Sequence, residues 1–242
     1  MKLGRVIRCL KRVGSGCRSA IRNLRQYRLI EMANWRGATF SQFGEDVFLS
    51  NCFGNDRDSG FYVDVGAFHP FWFSNTHFFY RKGWRGINIE PNPESFAQFV
   101  AHRKRDINLN LAVSSTPGEV TFICHGNISG IDDRTYLFHG EDHPHARRIR
   151  VVAAPLASIL GQHLPPTVQI DFMSIDCEGH DFEVVKSNDW SRFRPSWLLV
   201  EDHTPDKGTP LDLFLEEHGY LYYCRLGLTK VYVERTTAPG HL

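Results

Sequence analysis

Asp64 and Glu90 stand at the ends of two apolar runs, FYVDVGA and GINIEPNP, 26 positions apart. A carboxylate at the end of the second of two such strands accepts hydrogen bonds from the two hydroxyls of a ribose. Gly66 supplies a tight turn just after Asp64. A dinucleotide site needs two further glycines so that its pyrophosphate can approach the backbone, and here Phe68 and Pro70 stand in that region instead. A nucleoside without a pyrophosphate therefore fits better, and S-adenosylmethionine (SAM) is such a ligand. Either acid alone would read as an ordinary strand-end cap; the ordered pair favours the ligand.

Further along, VQIDFMSIDCEG ends on Asp176 and Glu178, and WLLVED on Glu201 and Asp202. With a sulfonium as methyl donor, a protein mainly has to align an acceptor atom with the methyl group and exclude water. A hydroxyl acceptor also needs a general base, worth ~10²- to 10⁴-fold, and histidine suits neutral pH. His203 follows the fifth buried strand, His69 lies just beyond the glycine turn and His180 follows Glu178. Among twelve histidines some fall near any cleft by chance. His203 and His69 rank above His180, which would point along a helix flank. Asp176, Glu178 and His203 could supply ligands to Mg²⁺. Nothing fixes their spacing, so hydrogen bonding to cofactor and acceptor is the preferred role and no metal is expected. Phe68, Phe71, Trp72 and Phe73 could stack on a planar acceptor or sugar ring, and at least half of them are expected to pack under their own loop.

These residues need elements to hold them. SQFGEDVFLSNCF reads as a helix with Ser41 as N-cap, and SNTHFFYRKGW as a helix capped at Ser74 or Asn75 and ended near Gly83. Strands are expected at FYVDVGA, GINIE, INLNLAVS (107–114), EVTFICH, IRVVAA, DFMSID and WLLVED, with helices at PESFAQFVAHRK, PLASIL, HDFEVVKSNDW and PLDLFLEEHGY. Residues 126–145 are polar and aperiodic and read as a long loop over one face. LYYCRLG and KVYVERT form a closing antiparallel hairpin. Alternating strands and helices make an α/β protein with a mostly parallel sheet covered on both faces. In doubly wound sheets the ligand lies outside the carboxyl ends of the strands. The residues to inspect are Asp64–Phe68, including Ala67; Glu90–Asn92, including Pro91; Asn110–Ser114; Asp176–Gly179; and Glu201–His203.

The series SQFGEDVFL, GFYVDVGAFHPFWFSNT, GWRGINIEPNPESF, RDINLNLAVS, FMSIDCEGHDFEVVKSNDW and RPSWLLVE resembles the FkbM family of SAM-dependent methyltransferases. The resemblance runs from about Phe40 to Glu201. It implies a doubly wound, mostly parallel, seven-stranded Rossmann-like sheet with an antiparallel C-terminal hairpin. It also implies that Asp64 and Gly66 form the turn under the methionine part of SAM and that Glu90 binds the ribose. Asn110 to Ala112 would then lie near the adenine, and Asp176 and Glu178 would close the site. Ser41 and Gln42 match the family's opening motif and would contact the methionine carboxylate. Many members resemble a Lys-Ile-Asp-Val-Glu-Gly pattern at the fourth strand; here Ser174 stands in place of the lysine. The implied acceptor is a hydroxyl on a sugar, glycan, polyketide or lipid-linked molecule.

The chain of 242 residues is the size of one α/β domain, expected over 40–242, preceded by an arm over 1–39. Nine of the 28 basic residues fall within residues 1–30, which hold no acid; the remainder carries 19 basic against 27 acidic residues, about −8. In the arm Leu3, Val6, Leu10, Val13, Cys17, Ala20, Leu24 and Tyr27 are spaced by threes and fours, as on one helix face. Such a basic amphipathic helix would pack on its own domain or lie on an anionic membrane surface, with Gly14-Ser15-Gly16 as a weak point. No apolar run is long enough for a membrane span, and no secretory signal core is present, which points to the cytoplasm. The six cysteines show no CxxC pairing, so neither a zinc ribbon nor a disulfide framework is expected. A nucleic-acid methyltransferase is disfavoured by the acidic body and by Asp176-Cys177-Glu178-Gly179 standing where an Asn/Asp-Pro-Pro-aromatic signature would. An inactive scaffold is disfavoured by the retained Asp64, Gly66 and Glu90.

Overall fold

In the computed structural model the residues described are 39–54, 56–124, 129–132, 146–204 and 207–238. The basic arm, to residue 38, and most of the long loop lie outside them. Residues 40–242 form one compact unit.

The unit is a mixed α/β structure around a seven-stranded sheet. Its strands are β1 (Phe61–Val65), β2 (Arg85–Ile89), β3 (Ile107–Leu109), β8 (Phe172–Ile175), β9 (Trp197–Glu201), β10 (Tyr220–Leu226) and β11 (Thr229–Glu234), in the order β10-β11-β9-β8-β1-β2-β3. From β9 to β3 every pairing is parallel, whereas β11 runs antiparallel to both β9 and β10. The chain steps outward from β1 through β2 to β3, then returns to the other side of β1 for β8 and β9. That reversal at β1 is the point at which such sheets open a crevice for ligand.

The apolar strands are buried on both faces, as parallel strands must be when helices cover each side. Phe61, Val63 and Val65 enter one core cluster with Met173, Ile175, Leu198 and Val200. Tyr62, between them in sequence, enters a second cluster with Phe172, Trp197 and Leu199 on the opposite face. The covering helices are α1 (Glu45–Phe53), α2 (His77–Arg81), α3 (Pro93–His102), α4 (Leu156–His163), α5 (Asp181–Lys186) and α6 (Pro210–Glu217).

The run 107–114, expected as one strand, divides. Ile107–Leu109 joins the main sheet, and β4 (Ala112–Val113) joins a separate four-stranded sheet with β5 (Gly118–Cys124), β6 (Gly130–Ile131) and β7 (Arg147–Ala154), in the order β4-β7-β5-β6. Asn110 makes the break: its side-chain amide donates to the carbonyls of Glu90 and Pro91, each at 2.9 Å. β6 falls inside the expected loop, pairing Ile131 with Phe122.

The start of α1 also differs from expectation. Its N-cap is Gly44, at φ 86°, because the Ser41 hydroxyl is spent on Asp46 Oδ1 at 2.9 Å. Glu45 is buried and accepts from Thr229 Oγ1 at 2.8 Å, while the Phe43 ring lies against Gly227, only 2.3 Å from where a Cβ would stand. The approach to α1 is thereby latched to the β10–β11 turn. Among the described residues no helix is long and apolar enough to cross a membrane.

Candidate active site

The carboxyl ends of β2, β1, β8 and β9 lie side by side and carry acids. Asp64 is buried in β1, and its Oδ2 accepts from Thr76 Oγ1 at 2.8 Å. Thr76 Oγ1 in turn lies 3.1 Å from Arg103 Nη2, and that guanidinium, fully buried, also donates to Ser74 Oγ, Tyr62 Oη and the Pro70 carbonyl. Arg103 thus pins residues 70–76 beneath the aspartate. Burial pushes the Asp64 carboxyl up to about 6, with Thr76 and Arg103 opposing.

A group whose pKa is raised by folding from 3.8 to about 6 binds its proton more tightly in the folded state. The contribution of Asp64 to stability therefore falls as pH rises between those values and is level above them. In urea denaturation Asp64→Asn should lose about 3 kcal/mol less stability than the wild type between pH 4 and pH 7. An equal loss in both proteins would contradict this account of the buried charge.

After β1 the backbone turns at Gly66, φ 76°, and the amides of Gly66 and Ala67 both donate to the Ile89 carbonyl. Glu90, buried at the end of β2, has both oxygens engaged by backbone: Phe68 N–H donates to Oε2 and Asn92 N–H to Oε1, each at 2.7 Å. A carboxylate offers about four acceptor positions, so each oxygen keeps one for a ligand hydroxyl. Desolvation raises Glu90 to about 7, against the pull of those two amides. Pro91 is buried, and Asn92 caps α3 by accepting from Glu94 N–H at 3.0 Å. Ala112 is buried in β4, and the Asn110 amide is committed to the β2 exit.

The strongest convergence is at the ends of β8 and β9. Glu178, Glu201 and His203 each offer a donor atom, and these atoms lie within 4.8 Å of one another; Asp176, Asp181 and Glu201 form a second such group. Asp181 is oriented by Cys177 N–H to Oδ1 (2.7 Å) and Gly179 N–H to Oδ2 (2.9 Å). Desolvation, and then repulsion among these carboxylates, drives Asp176, Glu178 and Asp181 well above the usual carboxylate range. The Glu201 carboxylate beside His203 raises the imidazole. Glu178 holds φ at 53°, and Phe68 and Phe73 hold 53° and 54° in the loop after β1. Non-glycine residues at positive φ gather at functional sites, because the surrounding structure has to hold the strain.

The structure thus brings Asp176, Glu178 and His203 together and adds Asp181 and Glu201. Sequence reasoning had marked Glu201 only as a strand end and had passed over Asp181, Thr76 and Arg103. The signal for Asp181 was an acid at a helix start, common to many helices; for Arg103 there was none, since it falls in a basic run at the end of the helix expected at PESFAQFVAHRK. His69 sits apart from this cluster, in the 68–76 loop. Its Nδ1 faces the amides of Phe71 and Trp72 at 3.2 Å, its ring stacks on Trp72 at 4.4 Å, and burial lowers its pKa. Trp72 is 64% exposed, whereas Phe71 packs edge-on against His77 and His102. His180 precedes α5, and Gln42 is half-buried in the approach to α1.

A family model described as the methyltransferase FkbM domain matches residues 64–222, from the β1 aspartate into β10. No curated protein and no solved structure matches the chain.

Proposed function

Because the chain belongs to the FkbM methyltransferase family, we propose that it transfers a methyl group from SAM to a hydroxyl of a sugar, glycan, lipid-linked or other small-molecule acceptor. Glu90 carries the reading: a buried carboxylate at the end of β2, held by two backbone amides, with one acceptor position left on each oxygen for a ribose diol. Gly66, Ala67 and Asp64 shape the adjoining turn; Pro91, Asn92, Asn110 and Ala112 line the far side; Gln42 is assigned to the methionine end.

Bound there, the sulfonium supplies an activated methyl group. The chain's own part is to hold the acceptor hydroxyl in line, exclude water and take up the proton the oxygen releases as its bond to carbon forms. Asp176, Glu178 and His203 are the proton-handling groups, and their raised pKa values suit that task. His69, with Nδ1 facing two backbone amides, is left the lesser role of supporting Trp72, whose exposed face suits stacking on an acceptor ring. The basic arm would suit an acceptor held at a membrane surface. Deletion of residues 1–28 should then reduce recovery in the membrane fraction.

Calorimetric titration with SAM and S-adenosylhomocysteine tests the cofactor. Micromolar binding by the wild type, lost in an Asp64→Ala/Glu90→Ala variant, is the expected result. No binding by folded wild-type protein, with or without candidate acceptors, would overturn the reading.

A further inference from the structure

We propose that Glu178, Glu201 and His203 form a binding site for a divalent cation, with Asp176 and Asp181 as the carboxylates facing it. Two donors bound at about 2.1 Å on opposite sides of one ion are about 4.2 Å apart. The donor atoms of Glu178, Glu201 and His203 already lie within 4.8 Å of one another, so small side-chain rotations bring all three onto one ion.

The second observation is Glu201 itself. It is 7% exposed, and its Oε2 is buried without a hydrogen bond, 3.3 Å from His203 Nε2 in an ion-pair contact. Glu201 supplies a donor to both groups of converging residues. A buried carboxylate oxygen lacking a hydrogen bond forfeits roughly 1–3 kcal/mol, more when charged, and such atoms call for a partner. The residues converging with Glu201 are His203 and three further carboxylates, Asp176, Glu178 and Asp181. A small cation would give the buried oxygen a stronger partner than the His203 contact and neutralise the repulsion among the acids in one step.

The donor set narrows the ion. Carboxylate oxygens with a single imidazole and no thiolate match Mn²⁺ better than Ca²⁺, which takes oxygen alone, or a structural Zn²⁺, which prefers sulfur and nitrogen. An ion held there would bind an acceptor hydroxyl and lower its pKa; Glu178 and His203 would then serve as ligands, and Asp176 would be left to take the proton. That role rests on the methyl-transfer reading; the binding of the ion does not.

The test is titration of chelator-treated full-length protein with Mn²⁺, in the absence of cofactor and acceptor, following the resonance of free aqueous Mn²⁺. One saturable site per chain is expected, together with a Mn²⁺-dependent rise in Tm. Removing outer partners of a metal ligand costs about 10–100-fold in affinity, so losing a ligand should cost at least that. Glu201→Gln and His203→Ala should each weaken binding by tenfold or more and abolish the Tm rise. His203 is exposed, so its truncation leaves a folded protein even if the buried Glu201 variant is poorly recovered. Absence of saturable binding, or binding unchanged in His203→Ala, would overturn the proposal. Either result leaves SAM binding to be measured separately, so failure of the ion site and failure of the cofactor reading are distinguishable.

Discussion

Gly66→Ala is expected to be recovered unfolded or aggregated, with the cooperative urea transition of the wild type lost. A Cβ at Gly66 would stand 1.8 Å from the Asp176 carbonyl oxygen and 2.9 Å from its carbon. These are backbone atoms of the adjacent strand exit, where Asp176 N–H donates to the Val65 carbonyl at 3.0 Å. Neither side can yield without parting β1 from β8 at the centre of the sheet. The positive φ adds only about 1–2 kcal/mol. Gly44→Ala separates the two effects, because Gly44 has a similar φ of 86° in the left-handed region but nothing within 4 Å of its Cβ position. That variant should remain folded, losing only the backbone term. Comparable stability in the two variants would mean that contact between the strand exits is not what fixes Gly66.

Glu90→Gln should lower SAM affinity about ten- to a hundredfold while leaving a folded protein. A hydrogen bond from a ribose hydroxyl to the carboxylate is worth about 1.5–3 kcal/mol, so losing one corresponds to about ten- to a hundredfold. Glutamine keeps the shape but offers one oxygen where the proposed diol contact uses two. Its amide N–H₂ must face the backbone N–H of either Phe68 or Asn92, each now 2.7 Å from a carboxylate oxygen. The variant therefore loses a ligand contact and disturbs the turn that presents it. Calorimetry for binding and thermal melting for the fold separate these losses; unchanged affinity would remove Glu90 from the cofactor site.

Much of this arrangement was legible because strong local signals agreed with the global fold. FYVDV and FMSI are short, mostly apolar runs that fit strands buried on both faces; the first holds Asp64 just before the Gly66 turn, and the second is followed by Asp176. Asp64, Glu90 and Asp176 could thus be placed at strand ends from sequence alone. What escaped depends on contacts distant in the chain. INLNLAVS shows one unbroken alternation, yet the Asn110 side chain, bonded to carbonyls some twenty residues earlier, sends its second half into another sheet. The convergence of Glu201 on Glu178 follows from β8 lying beside β9, and no periodicity encodes which carboxylate rotates inward. Arg103 is the clearest case: a basic run near a helix end looks solvated, and only the fold reveals a guanidinium with no exposure holding five oxygens.

The latch between the approach to α1 and the β10–β11 turn bears on how the protein is made. Thr229, the partner of Glu45, and Gly227, which receives the Phe43 ring, leave the ribosome some 180 residues after the segment they secure. β1 likewise waits about 110 residues for β8. Pairings this distant in sequence slow folding, because loop closure precedes the contacts that stabilise it. A nascent chain halted before the hairpin leaves Glu45 without Thr229, and it exposes the apolar faces of Trp197 and Leu199 that Val231 and Val233 cover in the finished sheet. Such a chain is a substrate for chaperones, and the native sheet closes only once the β10–β11 hairpin has left the ribosome.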